Sequence, residues 1–193
     1  MVAGEEVVGK ESIKILVPKK NIFLTDLAEI KKTILHNFSQ IAEAEISKSL
    51  PDTVNIVIRE RIGLAIWCNE IDCFVIDREG VAFERALPEL NLIKIFGDSK
   101  LLNEAMISLI LKVKAKSKEA LGIDLPQVTI ISEERANMKT SENWQIYFNL
   151  KGDLDWQMTE LNLVLEKQIP QDKRKLLEYI DLRFSRVYYK YRY

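Results

Sequence analysis

The hydrophobic residues of this chain change their spacing several times, and this change limits the folds that are open to it. Leu27, Ile30, Ile34 and Phe38 recur three and four residues apart, which predicts one apolar face of a helix. Other stretches alternate apolar and polar residues, which predicts strands half buried in a sheet. Helices and strands in mixed order, without an internal repeat, indicate an α+β fold in two adjoining units.

The first third of the chain predicts helix, helix, strand, turn and strand. A short helical stretch at residues 13–17 ends at Pro18, because proline cannot continue a helix. A second helix begins near Asp26, which lies three residues before Glu29 in a weak capping box. Two strands are predicted at residues 42–47 and 54–59, joined by a turn at residues 50–53 that contains Pro51 and Asp52.

The rest of the chain predicts a larger unit that is rich in strands. Asp77-Arg78-Glu79-Gly80 is a hairpin turn with glycine where positive φ is needed. The strands of this unit are expected at residues 64–68, 72–77, 92–96, 128–132, 144–150, 154–158, 179–184 and 187–193.

Two helices are predicted to pack on these strands. The longer one carries a wide apolar stripe, is expected to be capped by Asp98 or Ser99, and ends at Gly122. The shorter one is expected to begin at the cap residue Thr159 and to stop at Pro170.

Composition excludes several classes of function. The 193 residues can form one medium domain or two small ones, each with a core. The chain has 28 basic and 29 acidic residues, so it lacks the basic excess expected of a nucleic-acid-binding protein. The sequence contains no apolar run near the roughly 20 residues of a membrane span, and its polar start is not a signal peptide. Alone, these features predict a soluble intracellular protein.

The residue types used by most cofactor and metal sites are scarce. The chain has one histidine, two cysteines and seven glycines, and no glycine-rich phosphate loop. His36 lies on the polar flank of its predicted helix and is interpreted as an exposed residue. We therefore predict no metal, no cofactor and no catalytic residue.

Several charged residues are better explained by structure than by chemistry. Asp77 precedes Arg-Glu-Gly and fits a turn, and Glu133 and Glu134 fit a solvated loop or strand end. A series of lysines suits the negative end of the long helix, although it could also meet an anionic lipid or polymer. These are Lys112, Lys114, Lys116 and Lys118.

Two cysteines flank a short loop between predicted antiparallel strands. Cys68 and Cys73 would lie opposite each other, where Cβ atoms are about 4.5–5.5 Å apart. That distance slightly exceeds the usual disulfide range, so a bridge would need some adjustment. A disulfide and a pair of half-buried thiols both remain open.

The last predicted strand carries an unusual number of aromatic residues. A terminal strand often lies at a sheet edge, where its unpaired backbone groups can accept a strand from a partner. Tyrosine is also frequent in binding hot spots. Alternation places Val187, Tyr189 and Tyr191 on one face of the strand, opposite the face of Tyr188, Lys190 and Arg192. On spacing alone, partner binding and simple cover of the domain are both open.

An ordered set of motifs runs through the first third of the chain: Val2-x-Gly4, Ile13, Asn21-Ile22-Phe23, Asp26, Ile30, Ala44, Leu50-Pro51-Asp52-Thr53-Val54-x-Ile56-x-Ile58 and Glu60-Arg61. This set resembles a POTRA domain of the type that precedes the β domain of FtsQ/DivIB cell-division proteins. The resemblance implies a βααββ-type POTRA domain over residues 1–62. Its first strand is expected before Val2, so that the chain would contain that strand only in truncated form.

The remainder resembles the β domain of the same family. The matching residues are Ala65-x-Trp67, Val75-Ile76-Asp77-x-x-Gly80-Val81-x-Phe83, Leu87-Pro88, Trp144-Gln145-Ile146 and Tyr179-Ile180-Asp181-Leu182-Arg183-Phe184. A mixed β domain with two packing helices is therefore implied for residues 63–193.

The resemblance also implies a function. Family members are non-enzymatic scaffolds of the divisome that bind FtsB (DivIC) and FtsL and help couple septal peptidoglycan synthesis to division. They are single-pass membrane proteins with these domains on the extracytoplasmic side at the division septum. The span would then lie upstream of Met1. The partner-binding residues implied here are Phe184, Ser185, Arg186, Val187, Tyr188, Tyr189 and Tyr191.

Two alternatives stand beside this hypothesis. The first is a cell-wall-acting hydrolase or transferase with acidic residues in the cleft between the domains, although no acid pair stands out in the sequence. The second is a POTRA-type chaperone or translocation module, which the Asp181-Leu182-Arg183-Phe184 ending disfavours.

Overall fold

The computed structural model of the chain describes residues 2–3, 9, 13 and 22–192. The chain divides into two compact units, Met1–Ile62 and Gly63–Tyr193, called here the N unit and the C unit.

The N unit contains a three-stranded sheet and an amphipathic helix. The central strand of the sheet is β3, which pairs in parallel with β1 and antiparallel with β2. The elements are β1 (Val2–Ala3), a 3-10 turn (Ile22–Leu24), α1 (Leu27–Asn37), β2 (Ile41–Ser49) and β3 (Thr53–Glu60).

The position of the first strand corrects the prediction that it would precede Val2. Val2 and Ala3 themselves pair with Ile56 and Val57 of β3. The helix predicted at residues 13–17 lies outside the described residues except for Ile13, which is helical and fully buried.

Helix α1 forms as its sequence predicts. The Asp26 carboxylate accepts hydrogen bonds from the amides of Ala28 and Glu29, at 2.9 and 3.3 Å, and so satisfies two donors of the first turn. Ile30 and Ile34 face inward. They join a core that also contains Ile13, Ile41, Ala44, Ile56 and Ile58.

The C unit is built on one sheet of nine strands. Its order is β12-β11-β10-β9-β8-β7-β4-β5-β6, so the last strand in sequence lies at one edge. The strands are β4 (Ala65–Cys68), β5 (Cys73–Ile76), β6 (Ala82–Arg85), β7 (Lys94–Phe96), β8 (Gln127–Ser132), β9 (Arg135–Lys139), β10 (Gln145–Asn149), β11 (Leu177–Asp181) and β12 (Tyr188–Tyr191).

Two helices, α2 (Glu104–Leu121) and α3 (Leu154–Lys167), pack on one face of this sheet. The core between the layers is apolar and contains the inward side chains of successive strands together with those of the helices. Its members include Ile95, Val128, Met138, Ile146, Ile180, Ile110, Val113, Leu161 and Leu165. The predicted two packing helices are confirmed, and the alternate residues of these strands face away from the helices.

The start of α2 differs from the prediction. Asp98 caps a separate 3-10 turn, Ser99–Leu101, by accepting a hydrogen bond from the Lys100 amide. The cap of α2 is Asn103, whose side-chain oxygen accepts from the Met106 amide at 2.9 Å. The predicted end is confirmed, because Gly122 has a φ of 68°, which a residue with a Cβ rarely adopts.

The strand predicted at residues 154–158 is wrong, and so is the cap predicted at Thr159. Asp153 caps α3 by accepting a hydrogen bond from the Trp156 amide at 3.0 Å. The hydroxyl of Thr159 donates to the Asp155 carbonyl inside the helix. Leu154, Trp156 and Met158 alternate like strand residues, and five residues are too few to separate the two periods.

Strand β9 was not predicted. A two-residue turn follows β8, and the chain returns as Arg135–Lys139 with Ala136 and Met138 buried in the core. Because only two apolar residues alternate here, the segment lacks the density of β-branched and aromatic residues that marks a strand.

Candidate partner-binding edge

The candidate site is the edge of the nine-stranded sheet formed by β12. This strand pairs antiparallel with β11, and among the described residues no strand pairs with its other side. In the pairing, Tyr188 lies opposite Asp181, and Tyr189 lies opposite Ile180. β12 is therefore an edge strand of the described sheet, as the sequence predicts.

Hydrogen bonds fix which backbone groups of β12 face outward. The Leu182 amide donates to the Tyr147 carbonyl of β10 at 2.9 Å. Because successive residues direct their backbone groups to opposite sides, Asp181 then faces β12 and Ile180 faces β10. The residue opposite Ile180 is Tyr189, so the N–H and C=O groups of Tyr189 point away from the sheet.

A second bond supports the same alternation. The Arg192 amide donates to the Leu176 carbonyl at 2.7 Å, so the even-numbered residues of β12 bind β11. Tyr189 and Tyr191 consequently offer their backbone donors and acceptors at the free edge.

The side chains of this segment follow the predicted alternation. Val187 and Tyr191 pack against the core, and Tyr189 lies on the same face with its ring edge-on to that of Tyr191 at 5.8 Å. Tyr188 lies on the other face and is 54% exposed. Some aromatic side chains of β12 therefore cover the core, as Tyr191 does, whereas others, such as Tyr188, are open to solvent.

Phe184, Ser185 and Arg186 lie in the turn between β11 and β12. The predicted extension of a strand through Phe184 is wrong, because β11 ends at Asp181. The Phe184 side chain is 55% exposed and meets the Tyr188 ring edge-on, with ring centroids 6.0 Å apart.

Two shallow cavities flank Phe184. One, of about 250 Å³, is lined by Glu134, Arg135, Asn149, Arg183 and Phe184. The other, of about 320 Å³, includes Trp156, Leu182 and Ser185 in its lining. An exposed aromatic ring between two hollows can serve as one half of an interlocking contact with a partner.

A buried ion pair holds this turn. The Arg183 side chain donates from Nε and Nη2 to the two carboxylate oxygens of Asp181, at 2.7 and 2.5 Å. Asp181 is only 6% exposed, and a paired carboxylate is what such burial requires. These hydrogen bonds raise the pKa of the Arg183 guanidinium above its usual value.

The same guanidinium connects two aromatic groups. It lies 5.1 Å from the centroid of the Tyr147 ring and 5.6 Å from that of Phe184, within the range of cation–π attraction. Tyr147 also stacks on Tyr179 at 4.9 Å, and burial raises the pKa of its phenol. The sequence analysis did not single out Tyr147, Tyr179 or Arg183 as site residues. For Tyr147 and Tyr179, the available signal was their alternation with buried residues in β10 and β11.

Cys68 and Cys73 are joined in the structure by a disulfide between β4 and β5. They are directly paired in the strand register, and their Cα atoms are 4.1 Å apart. The two strands approach each other more closely here than the usual spacing of paired strand residues, and this brings the cysteines within reach of a disulfide.

We expect the bridge to be present in protein folded in an oxidising compartment. Mass spectrometry of unreduced material after alkylation should then show no label on Cys68 or Cys73, and two labels after reduction. Two labelled thiols in the unreduced sample would contradict the bridge.

The other residues considered as candidates for chemistry lie in a turn, in ion pairs or at exposed positions. Asp77 accepts hydrogen bonds from the amides of Glu79 and Val81 in the predicted turn. Glu133 and Glu134 form exposed ion pairs with Lys151, and His36 is exposed near the end of α1. Within the described part of the chain, no group of three His, Cys, Asp or Glu residues is placed to bind a metal.

Comparison with known proteins identifies the two units. The family model of the FtsQ-type POTRA domain matches residues 2–61. The family model described as "Cell division protein FtsQ/DivIB, C-terminal" matches residues 65–183. The two units are therefore a POTRA domain and the sheet-rich domain that follows it, and the chain belongs to the FtsQ/DivIB family of cell-division proteins.

Individual relatives agree with this assignment. The chain is similar to the cell division protein FtsQ of Rickettsia bellii, with 33% identity over 54% of this chain and 42% of that protein. It is also similar to the cell division protein DivIB of Clostridium acetobutylicum, with 25% identity over 86% of this chain and 69% of that protein. The chain thus spans less than half of the first relative.

A solved structure is also similar. The major extracytoplasmic domain of DivIB from Geobacillus stearothermophilus superposes with a TM-score of 0.36 and 11% identity, covering 57% of this chain and 98% of that one.

Proposed function

We propose that this protein is a non-enzymatic scaffold of the divisome that binds FtsB (DivIC)- and FtsL-type partners through the β12 edge. Membership of the FtsQ/DivIB family supports a role in cell division. The observation that carries the mechanism is the outward direction of the Tyr189 backbone groups beside the exposed Phe184 ring. A partner strand would pair with these groups, while Phe184 and Tyr188 would supply side-chain contacts.

In this mechanism no bond is made or broken. Binding fixes the position of the partners and so helps to couple septal peptidoglycan synthesis to division. The described acidic residues support this choice over a cell-wall hydrolase, because the buried carboxylates of Asp77 and Asp181 are used by a turn and by an ion pair. An acid or base in a hydrolytic site needs a side chain available to substrate.

We place the protein in the cell membrane by a single span, with these domains on the extracytoplasmic side at the septum. Family membership and the Cys68–Cys73 disulfide support this location, since disulfides persist in oxidising compartments. No helix that the structure describes is both long and apolar enough to cross a bilayer.

The natural gene is therefore expected to encode an apolar segment of about 20 residues upstream of Met1. The genomic reading frame would show it directly. A stop codon immediately before Met1, with the native start at that residue, would contradict membrane anchorage by this route.

Substitution of Phe184 by alanine tests the proposed contact. We expect a loss of about 2 kcal/mol or more in binding to the soluble part of an FtsB–FtsL pair, measured by calorimetric titration. Because Phe184 is 55% exposed, the fold should be retained. Leu87→Ala is the matched control, since Leu87 is 60% exposed but follows β6 at the opposite edge of the sheet. Equal affinity of all three proteins would place the partner elsewhere.

A further inference from the structure

A row of polar side chains crosses six strands on the sheet face that points away from α2 and α3. The strand register makes each residue the direct partner of the next. The row, called here the cationic row, consists of Lys94, Gln127, Lys139, Gln145, Tyr179 and Lys190.

The direction of these side chains follows from their neighbours. Each of the first five is adjacent in sequence to a fully or almost fully buried core residue, and successive residues of a strand point to opposite faces. Those core residues are Ile95, Val128, Met138, Ile146 and Ile180. Lys190 lies between Tyr189 and Tyr191 of the core-facing side. The cationic row therefore belongs to the face opposite α2 and α3.

The geometry of the row is that of a linear array. With strands about 4.8 Å apart, the row is about 24 Å long, and its lysines are about 10 and 14 Å from one another. Lys190 pairs with Glu178 at 2.7 Å. The ammonium groups of Lys94 and Lys139 have no acidic partner among the described residues. The array thus presents positive charges separated by amide side chains.

We propose that the cationic row binds an acidic glycan, that is, a linear chain of sugars carrying carboxylates at regular intervals. Lys94 and Lys139 complement the carboxylates, with Gln127 between them to donate and accept hydrogen bonds with hydroxyl groups. Gln145 continues this pattern beyond Lys139. Tyr179, stacked on Tyr147, adds a flat aromatic surface against which a sugar ring can pack.

An acidic peptide fits this surface less well. Extended peptides gain affinity from main-chain hydrogen bonds at a sheet edge, whereas the backbone groups of the strands from β7 to β11 are engaged with strands on both sides. The row can recognise a ligand through side chains alone. The row meets β11 at Tyr179 and ends at Lys190 of β12, whereas Phe184 follows the end of β11. Lys94, Gln127 and Lys139, which make the main proposed contacts to the glycan, lie on β7, β8 and β9, away from the β12 edge.

Titration of the full chain with defined oligomers tests the proposal. The probes are an oligogalacturonate, a neutral chito-oligosaccharide of equal length, and an oligoglutamate of equal charge. We expect the oligogalacturonate to bind more tightly than either of the others. Lys94→Glu with Lys139→Glu should weaken its binding by about tenfold or more, because two attractions become repulsions. The neutral pair Lys94→Gln with Lys139→Gln should give a smaller loss.

The matched control is Lys167→Glu with Lys173→Glu, which makes the same change in net charge on exposed positions of α3 and of the segment that follows it. This control should bind like the unaltered protein. An equal loss in the control, equal affinity for oligoglutamate, or no binding of the oligogalacturonate would each overturn the proposal. Circular dichroism of all variants establishes that they are folded.

Discussion

Replacement of Tyr189 by proline is expected to weaken binding of the FtsB-type partner by about tenfold or more, because it removes an outward backbone donor and places a ring in the path of the added strand. Tyr189→Ala keeps the donor and should retain most of the affinity. The comparison separates backbone pairing from the side-chain contribution at one position. Both affinities can be measured by calorimetric titration.

The neighbouring residue provides a control for the direction of the backbone. Lys190 faces β11 across the register from Tyr179, so Lys190→Pro should remove a bond inside the sheet and lower stability. Tyr189→Pro should leave the thermal midpoint almost unchanged. If Tyr189→Pro stays folded and binds the partner with unaltered affinity, strand addition at β12 is wrong.

The second large effect is expected at Arg183. Arg183→Ala leaves the nearly buried Asp181 carboxylate without its cation, which should cost about 3 kcal/mol of unfolding free energy. Urea denaturation followed by circular dichroism measures this change. The variant should also weaken partner binding, because the guanidinium contacts the Phe184 ring.

The double variant Asp181→Ala with Arg183→Ala serves as the control for this prediction. It removes both charges, so it should be less destabilised than Arg183→Ala alone, since the dominant cost is an unpaired buried charge. The single variant Asp181→Ala completes the comparison. If the double variant loses as much unfolding free energy as the two single variants together, the ion pair does not act as a unit.

Long periodic segments were predictable from the sequence. Helix α1 begins at its Asp26 cap and buries Ile30 and Ile34 as the spacing indicates. The end of α2 at Gly122 was equally clear, because positive φ favours glycine. In such segments the local preference and the tertiary packing agree.

Short segments were not predictable in the same way. Leu154, Trp156 and Met158 alternate over five residues, and the packing of α3 on the sheet decides that they are helical. The predicted start of α2 was wrong because Asp98 and Asn103 are both favourable cap residues. Asp98 caps the 3-10 turn, and Asn103 caps α2. Competition between neighbouring caps is settled by tertiary contacts rather than by propensity.

The candidate site was predictable only in part. Alternation alone separated Tyr189 and Tyr191 from Tyr188, and the register confirms this division. The outward direction of the Tyr189 amide depends on the pairing of β11 with β10, which residue order does not specify. The contact of Arg183 with Tyr147 likewise joins residues that are distant in sequence.

Hydrogen exchange at the Tyr189 and Tyr191 amides is the most direct test of the proposed strand addition. In the free protein both N–H groups face outward from the sheet edge and should exchange rapidly, whereas the Tyr188 and Lys190 amides, bound to β11, should be protected. Addition of the soluble FtsB–FtsL pair should slow exchange at Tyr189 and Tyr191. Unchanged exchange at these two amides under saturating partner would contradict the proposal that β12 accepts a partner strand.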